Sequence, residues 1–307
     1  MKLSDLKLKR PPYYIVALGA LLLIAAIIYI YFLTSFSKAD GVRYVYIDKD
    51  DTIDSVFAKV DTIAKQSSFG GFCTLARHSS MEENIHTGRY EINPGDRTFT
   101  VFRKIKNGRQ TPLRLTIPSV RTTDRLAGEL SKRLMLDSLE IIQRLSDEAF
   151  CQKMGYDTTT VICMFIPNTY EVFWDTTLDK FLERMDKESH TFWNEERTRK
   201  AAALNLTPEQ VMTIASIVDE ETANNEEKPM VAGMYYNRLE AGMPLQADPP
   251  VKFAKKDFEA RRIYRNWLTI DSPYNTYRNI GLPPGPIRIA SVAGIDAVLN
   301  LVHHNYM

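Results

Sequence analysis

The sequence predicts an α+β protein in three parts: a single N-terminal transmembrane helix, a small α+β module, and a larger mixed α+β domain. Three observations predict it. An uncharged apolar run covers Tyr13–Leu33, short strands followed by helical periodicity recur over 43–118, and the remainder is helix-rich with Pro-punctuated aromatic loops. The expected divisions are a tail at 1–12, a spanning helix at 13–34, a module at 43–118 and a second domain at 119–307.

The apolar run holds 21 residues, which at about 1.5 Å per residue matches a hydrocarbon core of roughly 30 Å. Tyrosines stand at both ends and Pro11–Pro12 mark its start. Lys2, Lys7, Lys9 and Arg10 against a single Asp5 favour a cytoplasmic N-terminus, with everything after about residue 36 outside. A cleaved signal peptide is the rival reading. The run is long for one, and no A-x-A-like site follows it in TSFSKADG.

Net charge is +1 over 307 residues, so no electrostatic footprint for nucleic acid exists and a neutral or mixed-charge partner fits better. Three cysteines without CxxC spacing argue against a disulfide framework or a structural zinc; Cys151 with Cys163 is the one pair an oxidising compartment could join. Five histidines form no HxxxH or HExxH pattern. No metal and no cofactor are expected.

In the module, VRYVYI alternates as a strand, and Asp50-Asp51-Thr52 precedes a helix with Ile53, Val56, Phe57, Val60 and Ile63 in register. TGRYEINP then leads into Thr98–Ile105, with Phe99, Phe102 and Ile105 on one stripe. A third unit, LRLTIP then SVRTTDRLAGELSKRL, echoes the order weakly without making a repeat array, and small α+β packing accounts for most of the pattern. From 137 to 203 the chain reads as helical, with SLEIIQRLS and one long segment from Leu178 to Asn205; its charge run Glu195–Lys200 reads as a solvated face. CMFIPNTYEVFW between them suits strand or ordered loop, since Pro167 breaks helical pairing.

Thr207-Pro208-Glu209-Gln210 is a helix start with a capping box. Val211, Ile214, Ala215 and Val218 define one buried stripe. At 100° per residue Glu220 points to solvent, and Asp219 falls on one flank. Glu221 falls on the other, about 20° from Ile214 and about 60° from Val218. Desolvation and the negative helix end both raise a carboxyl pKa there, as general-acid attack on a glycosidic oxygen requires. Acidic residues at a stripe border are commonly structural, so position alone leaves both readings open.

A second helix is expected from Glu226 and Glu227 through MVAGMYYNRLEA to Gly242, with Met230, Met234 and Leu239 inward and Asn237 and Arg238 near a ligand or merely capping. MPLQADPP follows as a Pro-rich extended segment holding Gln246 and Asp248. DSPYNTYRNIGLPPGPI then presents Tyr274, Asn275, Thr276 and Tyr277 between prolines. Stiff segments carrying flat rings and neutral polar groups suit carbohydrate, although a stiff irregular loop has the same composition.

ASIVDEET, VAGMYYNRLEAGMPLQADP and SPYNTYRNIGLPPGPI, in that order over about 80 residues, closely resemble the YceG-like (MltG) family of endolytic murein transglycosylases. FIPNTYEV resembles that family's F-P-(D/E/N)-T-Y segment more loosely. The resemblance implies an anchor, a LysM-like module at 43–118 and a catalytic domain at 119–307. The family's catalytic glutamate precedes the threonine of ExET, here Glu221 before Thr222; Asp219 replaces the first glutamate. Asn237, Gln246, Asp248, Tyr274, Asn275, Thr276 and Tyr277 then become substrate contacts, with Asn168, Thr169, Tyr170 and Glu171 shaping the same cleft. The chain stops at HHNYM, short of a further strand the family pattern leads one to expect.

The implied activity is lytic cleavage of MurNAc-β-1,4-GlcNAc bonds in nascent glycan, forming 1,6-anhydroMurNAc, by an inner-membrane protein with a periplasmic catalytic domain. Glycan strands and the cytoplasmic membrane are its implied partners, with peptidoglycan synthases and cell-elongation or division proteins as candidate neighbours. Two alternatives stay open: a hydrolytic muramidase using Asp219 or Asp248 as second carboxylate, and a non-catalytic glycan-binding scaffold.

Overall fold

The computed structural model describes residues 13–260 and 262–307, so the 1–12 tail lies outside the described residues. The architecture is mixed α+β with one N-terminal helix long and apolar enough to cross a membrane, Tyr13–Leu33. That helix, α1 (Tyr13–Ile28), continues through a π-helical turn at Tyr29–Leu33 and buries none of its side chains within the chain. Contacts divide the chain into two units: one runs through Leu113 and includes Phe173–Asp175, the other comprises Arg114–Val172 and Thr176–Met307.

In the first unit, β1 (Arg43–Ile47) is followed by α2 (Ile53–Asp61), α3 (Gln66–His78), β2 (Gly88–Ile92) and α4 (Thr98–Lys106). The strands pair antiparallel, Arg43 opposite Ile92 and Ile47 opposite Gly88. Val45 and Ile47 face a core with Val60, Phe72, Ile92 and Ile105. Thr52 caps α2, accepting from Ser55 N at 3.3 Å. Periodicity does not announce α3, because Gly70-Gly71 interrupt its apolar pattern. Close approach requires one of them: a Cβ on Gly71 would stand 2.5 Å from Tyr31 O. Phe99 departs from its expected stripe. It is 50% exposed, while Thr98 and Val101 take the buried face beside Phe102 and Ile105.

In the second unit, β3 (Leu113–Thr116) leads through α5 (Thr123–Ser131), α6 (Ser138–Ser146) and α7 (Glu148–Lys153) to its partner β4 (Thr169–Val172). The third strand-and-helix segment therefore belongs to a different sheet from the first two. Next come α8 (Leu178–Phe192) and α9 (Glu195–Ala203), where one long helix was expected. Asn194 ends it by capping α9, its Oδ1 accepting from Arg197 N at 3.0 Å. The charge run is partly engaged, since Arg197 bonds Asp296 at 3.3 Å while Glu195 and Glu196 stay exposed.

The centre of this unit is α10 (Pro208–Glu221), opened by the expected capping box between Thr207 and Gln210. Every residue from Val211 to Val218 is buried, so the single stripe becomes a helix covered all round. Its polar members satisfy themselves locally: Thr213 Oγ1 donates to Glu209 O (2.8 Å) and Ser216 Oγ to Thr213 O (2.7 Å). Around it pack α11 (Lys228–Glu240), α12 (Asp248–Lys255) and α13 (Val292–Leu299).

Two expectations change here. The helix α11 starts at Lys228, after Glu226 and Glu227, and buries Ala232, Gly233 and Tyr235; Met230 is 42% exposed, and Met234 and Leu239 are only partly buried. The expected extended Pro-rich segment is helical from Asp248, because Pro249 and Pro250 occupy the first turn, where a missing N–H costs nothing.

Candidate active site

Three consecutive carboxylates close α10, and each has different partners. Asp219 accepts from Lys228 Nζ (2.7 Å), Ser291 N (2.6 Å) and Ser291 Oγ (2.7 Å). Its side chain is 5% exposed and that of Lys228 7%, a buried ion pair joining α10, α11 and α13. A Cβ on Gly294 would come 2.6 Å from Asp219 Oδ1, so only glycine lets α13 approach.

Glu220 does not point to solvent as its periodicity suggests. Arg121 clamps it through Nε (3.0 Å) and Nη2 (2.7 Å), and Arg288 Nη1 adds a third bond at 2.8 Å. Both arginines come from segments far along the chain, which helical periodicity cannot register. The clamp holds the Arg121 guanidinium above its ordinary pKa.

Among the described residues, Glu221 has no such cation at salt-bridge distance. Its Oε1 accepts from Tyr235 Oη at 2.8 Å. Glu221 remains solvent-accessible as a residue, whereas Tyr235 is 3% exposed. Burial around the carboxyl raises its pKa above the ordinary value, and the negative charge of Asp248 adds to that; the Tyr235 bond and Lys252 oppose it. Asp248 is in turn bonded by Tyr277 Oη at 2.6 Å. Burial, then Asp248, pushes the Tyr277 hydroxyl up to about 12. Glu221, Tyr235, Asp248 and Tyr277 are one electrostatic group, with two carboxylates each held by a neutral hydroxyl.

The other expected site residues divide. Gln246, in a left-handed conformation (φ 53°), accepts from Arg238 Nη2 at 2.7 Å. Asn275 and Thr276 are buried: Asn275 Nδ2 donates to Leu268 O (3.0 Å) and Ile270 O (2.8 Å), and Thr276 Oγ1 to Ala247 O (2.7 Å). They brace the loop from behind. Tyr274 packs its ring 4.9 Å from that of Phe253, and burial raises its hydroxyl to about 12. Asn237 Nδ2 ties the chain end, donating to His304 O (2.6 Å) and Tyr306 O (3.0 Å).

Tyr170 is buried with its hydroxyl on Ile166 O (2.8 Å), and its charged neighbours are Glu188 and Arg184 on α8. Asn168 and Thr169 serve the β3–β4 pair, through Asn168 O to Ile117 N (3.0 Å) and the Thr169–Thr116 hydroxyl bond (2.8 Å). Neither set shares a member with the Glu221 group.

A groove of about 810 Å³ lies at the opposite end of α10 against Thr207, Glu209 and Gln210 and includes none of the Glu221 group. The chemistry of the carboxylates, rather than groove size, marks the C-terminal end. Beside it a crevice of about 50 Å³ is lined by Glu220, Lys252 and Phe253, and a groove of about 320 Å³ shares Arg121 and Phe258 with it. Cys73, Cys151 and Cys163 are all buried and unpaired.

Residues 45–307 match the YceG-like family. The chain belongs to that family. It is 26% identical over 275 residues to a Bacillus subtilis protein named endolytic murein transglycosylase, covering 83% of this chain and 74% of that one. A Streptococcus pneumoniae protein of the same name is 26% identical over 265 residues, covering 75% of this chain but 47% of its own length, so this chain spans about half of that relative. The fold is similar to a crystal structure of a protein described as yceG-like from Listeria monocytogenes, with a TM-score of 0.59 and 24% identity over 87% of this chain and 93% of that one.

In this YceG-like chain, sequence reasoning passes over Tyr235, Lys228, Arg121, Arg288 and Lys252. One signal points to Tyr235: it follows buried Ala232 by three residues on one helix face, and a buried tyrosine hydroxyl needs a polar partner. No local pattern betrays the arginines.

Proposed function

We propose that this chain is a membrane-anchored endolytic murein transglycosylase, cleaving MurNAc-β-1,4-GlcNAc bonds in nascent, uncrosslinked glycan with Glu221 as its single acid/base group. The observation that carries the reading is the contrast at the end of α10: Asp219 and Glu220 are bonded by cations, and Glu221 by a neutral hydroxyl. Burial raises the carboxyl pKa above its ordinary value, which favours the protonated acid that attack on a glycosidic oxygen needs. The name shared by the relatives supports the substrate class.

Protonated Glu221 gives its proton to the bridging oxygen as the C1–O bond breaks, releasing the 4-hydroxyl of GlcNAc. The resulting carboxylate then removes the proton from the muramoyl 6-hydroxyl. That oxygen closes on C1 to form the 1,6-anhydro ring, and Glu221 is again protonated. No water enters, so one carboxyl suffices. Tyr235 holds the carboxyl in place throughout. Gln246, Asp248 and Tyr277 line the sugar side in this reading, while Asn275 and Thr276 stiffen the wall behind them.

The nearness of Asp248 to Glu221 favours hydrolysis as the second reading, with Asp248 activating water. Cleavage in ¹⁸O-labelled water separates the two. The lytic reading predicts products that carry no label and whose masses sum to that of the substrate; one ¹⁸O per cut would establish hydrolysis. No cleavage, with retained glycan binding, would support a scaffold.

The same reading makes Tyr13–Leu33 a single-pass inner-membrane anchor, N-terminus cytoplasmic and both units periplasmic. The strand–helix–helix–strand order of β1, α2, α3 and β2 supports a LysM-like module that holds glycan near the membrane. Peptidoglycan synthases and elongation or division proteins are the neighbours such an enzyme would work beside.

A further inference from the structure

The junction between the apolar helix and the first unit carries a surface that glycan cleavage does not use. Thr98 Oγ1 donates to Tyr31 O at 2.7 Å, Gly71 packs against the same carbonyl, and Ser35 bridges to Arg97. Tyr31 lies two residues before the end of the apolar run, about 3 Å along the helix axis. The first turn of α4 therefore stands at the depth of the last apolar turn, with no linker between them. At that turn are Phe99, 50% exposed, and exposed Arg97; exposed Arg103 stands a turn further along α4, and exposed Arg109 follows the helix end. The Arg103 guanidinium lies 5.6 Å from the Phe99 ring centre, and a groove of about 280 Å³ runs between Phe99, Arg103 and Arg109. Among the described residues, none of these three arginines has a carboxylate at salt-bridge distance; Asp96 is taken by Lys104 at 2.7 Å.

We propose that this face of α4 docks on the bilayer from which α1 emerges, Phe99 entering the headgroup region and Arg97, Arg103 and Arg109 taking the phosphates of anionic phospholipids. An exposed aromatic ring beside unpaired arginines, fixed at interface depth, has the chemistry of such a surface. The inference rests on Tyr13–Leu33 spanning the membrane. Its consequence is that the first unit is held against the bilayer rather than swinging from it. At about fivefold per arginine near an anionic surface, the three bias the docked state roughly 100-fold.

A nitroxide at Thr100→Cys on the full chain tests this, since the native cysteines are buried. The chain is reconstituted in phosphatidylcholine nanodiscs with and without phosphatidylglycerol. The expected result is that phosphatidylglycerol shields the label from a water-soluble relaxation agent and opens it to oxygen. Combined Arg97→Glu, Arg103→Glu and Arg109→Glu should abolish that change, and Phe99→Ala alone should reduce the contact with oxygen. A label equally wet in both bilayers, or shielded to the same degree in both, overturns the proposal. Release of the chain from vesicles by alkaline carbonate would instead overturn the membrane span itself, and the proposal with it.

Discussion

Two sets of carboxylates meet at the end of α10, and their partners separate them. Asp219 and Glu220 are bonded by Lys228, Arg121 and Arg288, which hold them in place as fixed charges. Glu221 and Asp248 are bonded by Tyr235 and Tyr277, which orient an oxygen without neutralising it. For Glu221, burial and the neighbouring charge of Asp248 raise the carboxyl pKa, and the Tyr235 hydroxyl orients it. In the proposed reading, adjacent glutamates of the same helix take opposite roles, one bracing and one reactive.

Substitutions should widen or erase that contrast. The largest catalytic effect belongs to Glu221→Gln, for which we expect a loss of about 10²–10⁴-fold in cleavage rate with an unchanged unfolding midpoint. For Lys228→Ala the loss should be in stability, about 3–5 kcal/mol by urea denaturation, because Asp219 is left charged and buried. With Tyr235→Phe, the fold should survive and kcat fall by about tenfold as Glu221 loses its orienting bond.

The smallest effects are shifts in pH dependence, and they discriminate most finely. In the proposed mechanism Glu221 acts protonated, so cleavage should decline as pH rises through its pKa, which lies above the ordinary 4.5. The Tyr235 bond favours the carboxylate, so Tyr235→Phe should move the decline to higher pH. The charge of Asp248 favours the acid, so Asp248→Asn should move it to lower pH. Rate profiles for the two variants should therefore part in opposite directions; a shift of both the same way would break the assignment of Glu221 as the titrating group. The linkage to stability has the same sign: Glu221 contributes below its unfolded value, and the contribution disappears as pH rises through the raised one.

Local features were readable from the residues alone. The capping box at Thr207, the strand at Arg43–Ile47, the Thr52 cap and the turn at Gly242 (φ 63°) are set within a few residues of chain, where propensity and turn chemistry act. Whatever depended on distant segments was hidden. Periodicity sent Glu220 to solvent because Arg121 and Arg288 are far from it in sequence. The same rule drew one stripe on α10, when α11, α12 and α13 cover its other faces too. The prolines of MPLQADPP suggested extension, although proline also opens helices, as Pro249 does. For the site, motif resemblance singled out Glu221, while the hydroxyl that holds it lies fourteen residues on and came from packing alone.

The most direct measurement compares Glu220→Gln with Glu221→Gln on purified uncrosslinked glycan, with turnover scaled to the folded fraction of each variant. If the cation-clamped glutamate only braces, Glu220→Gln should keep most of its turnover per folded molecule and release anhydro-ended fragments. Glu221→Gln should release almost none. Substantial anhydro product from Glu221→Gln, or equal losses for the two variants, would contradict the central claim.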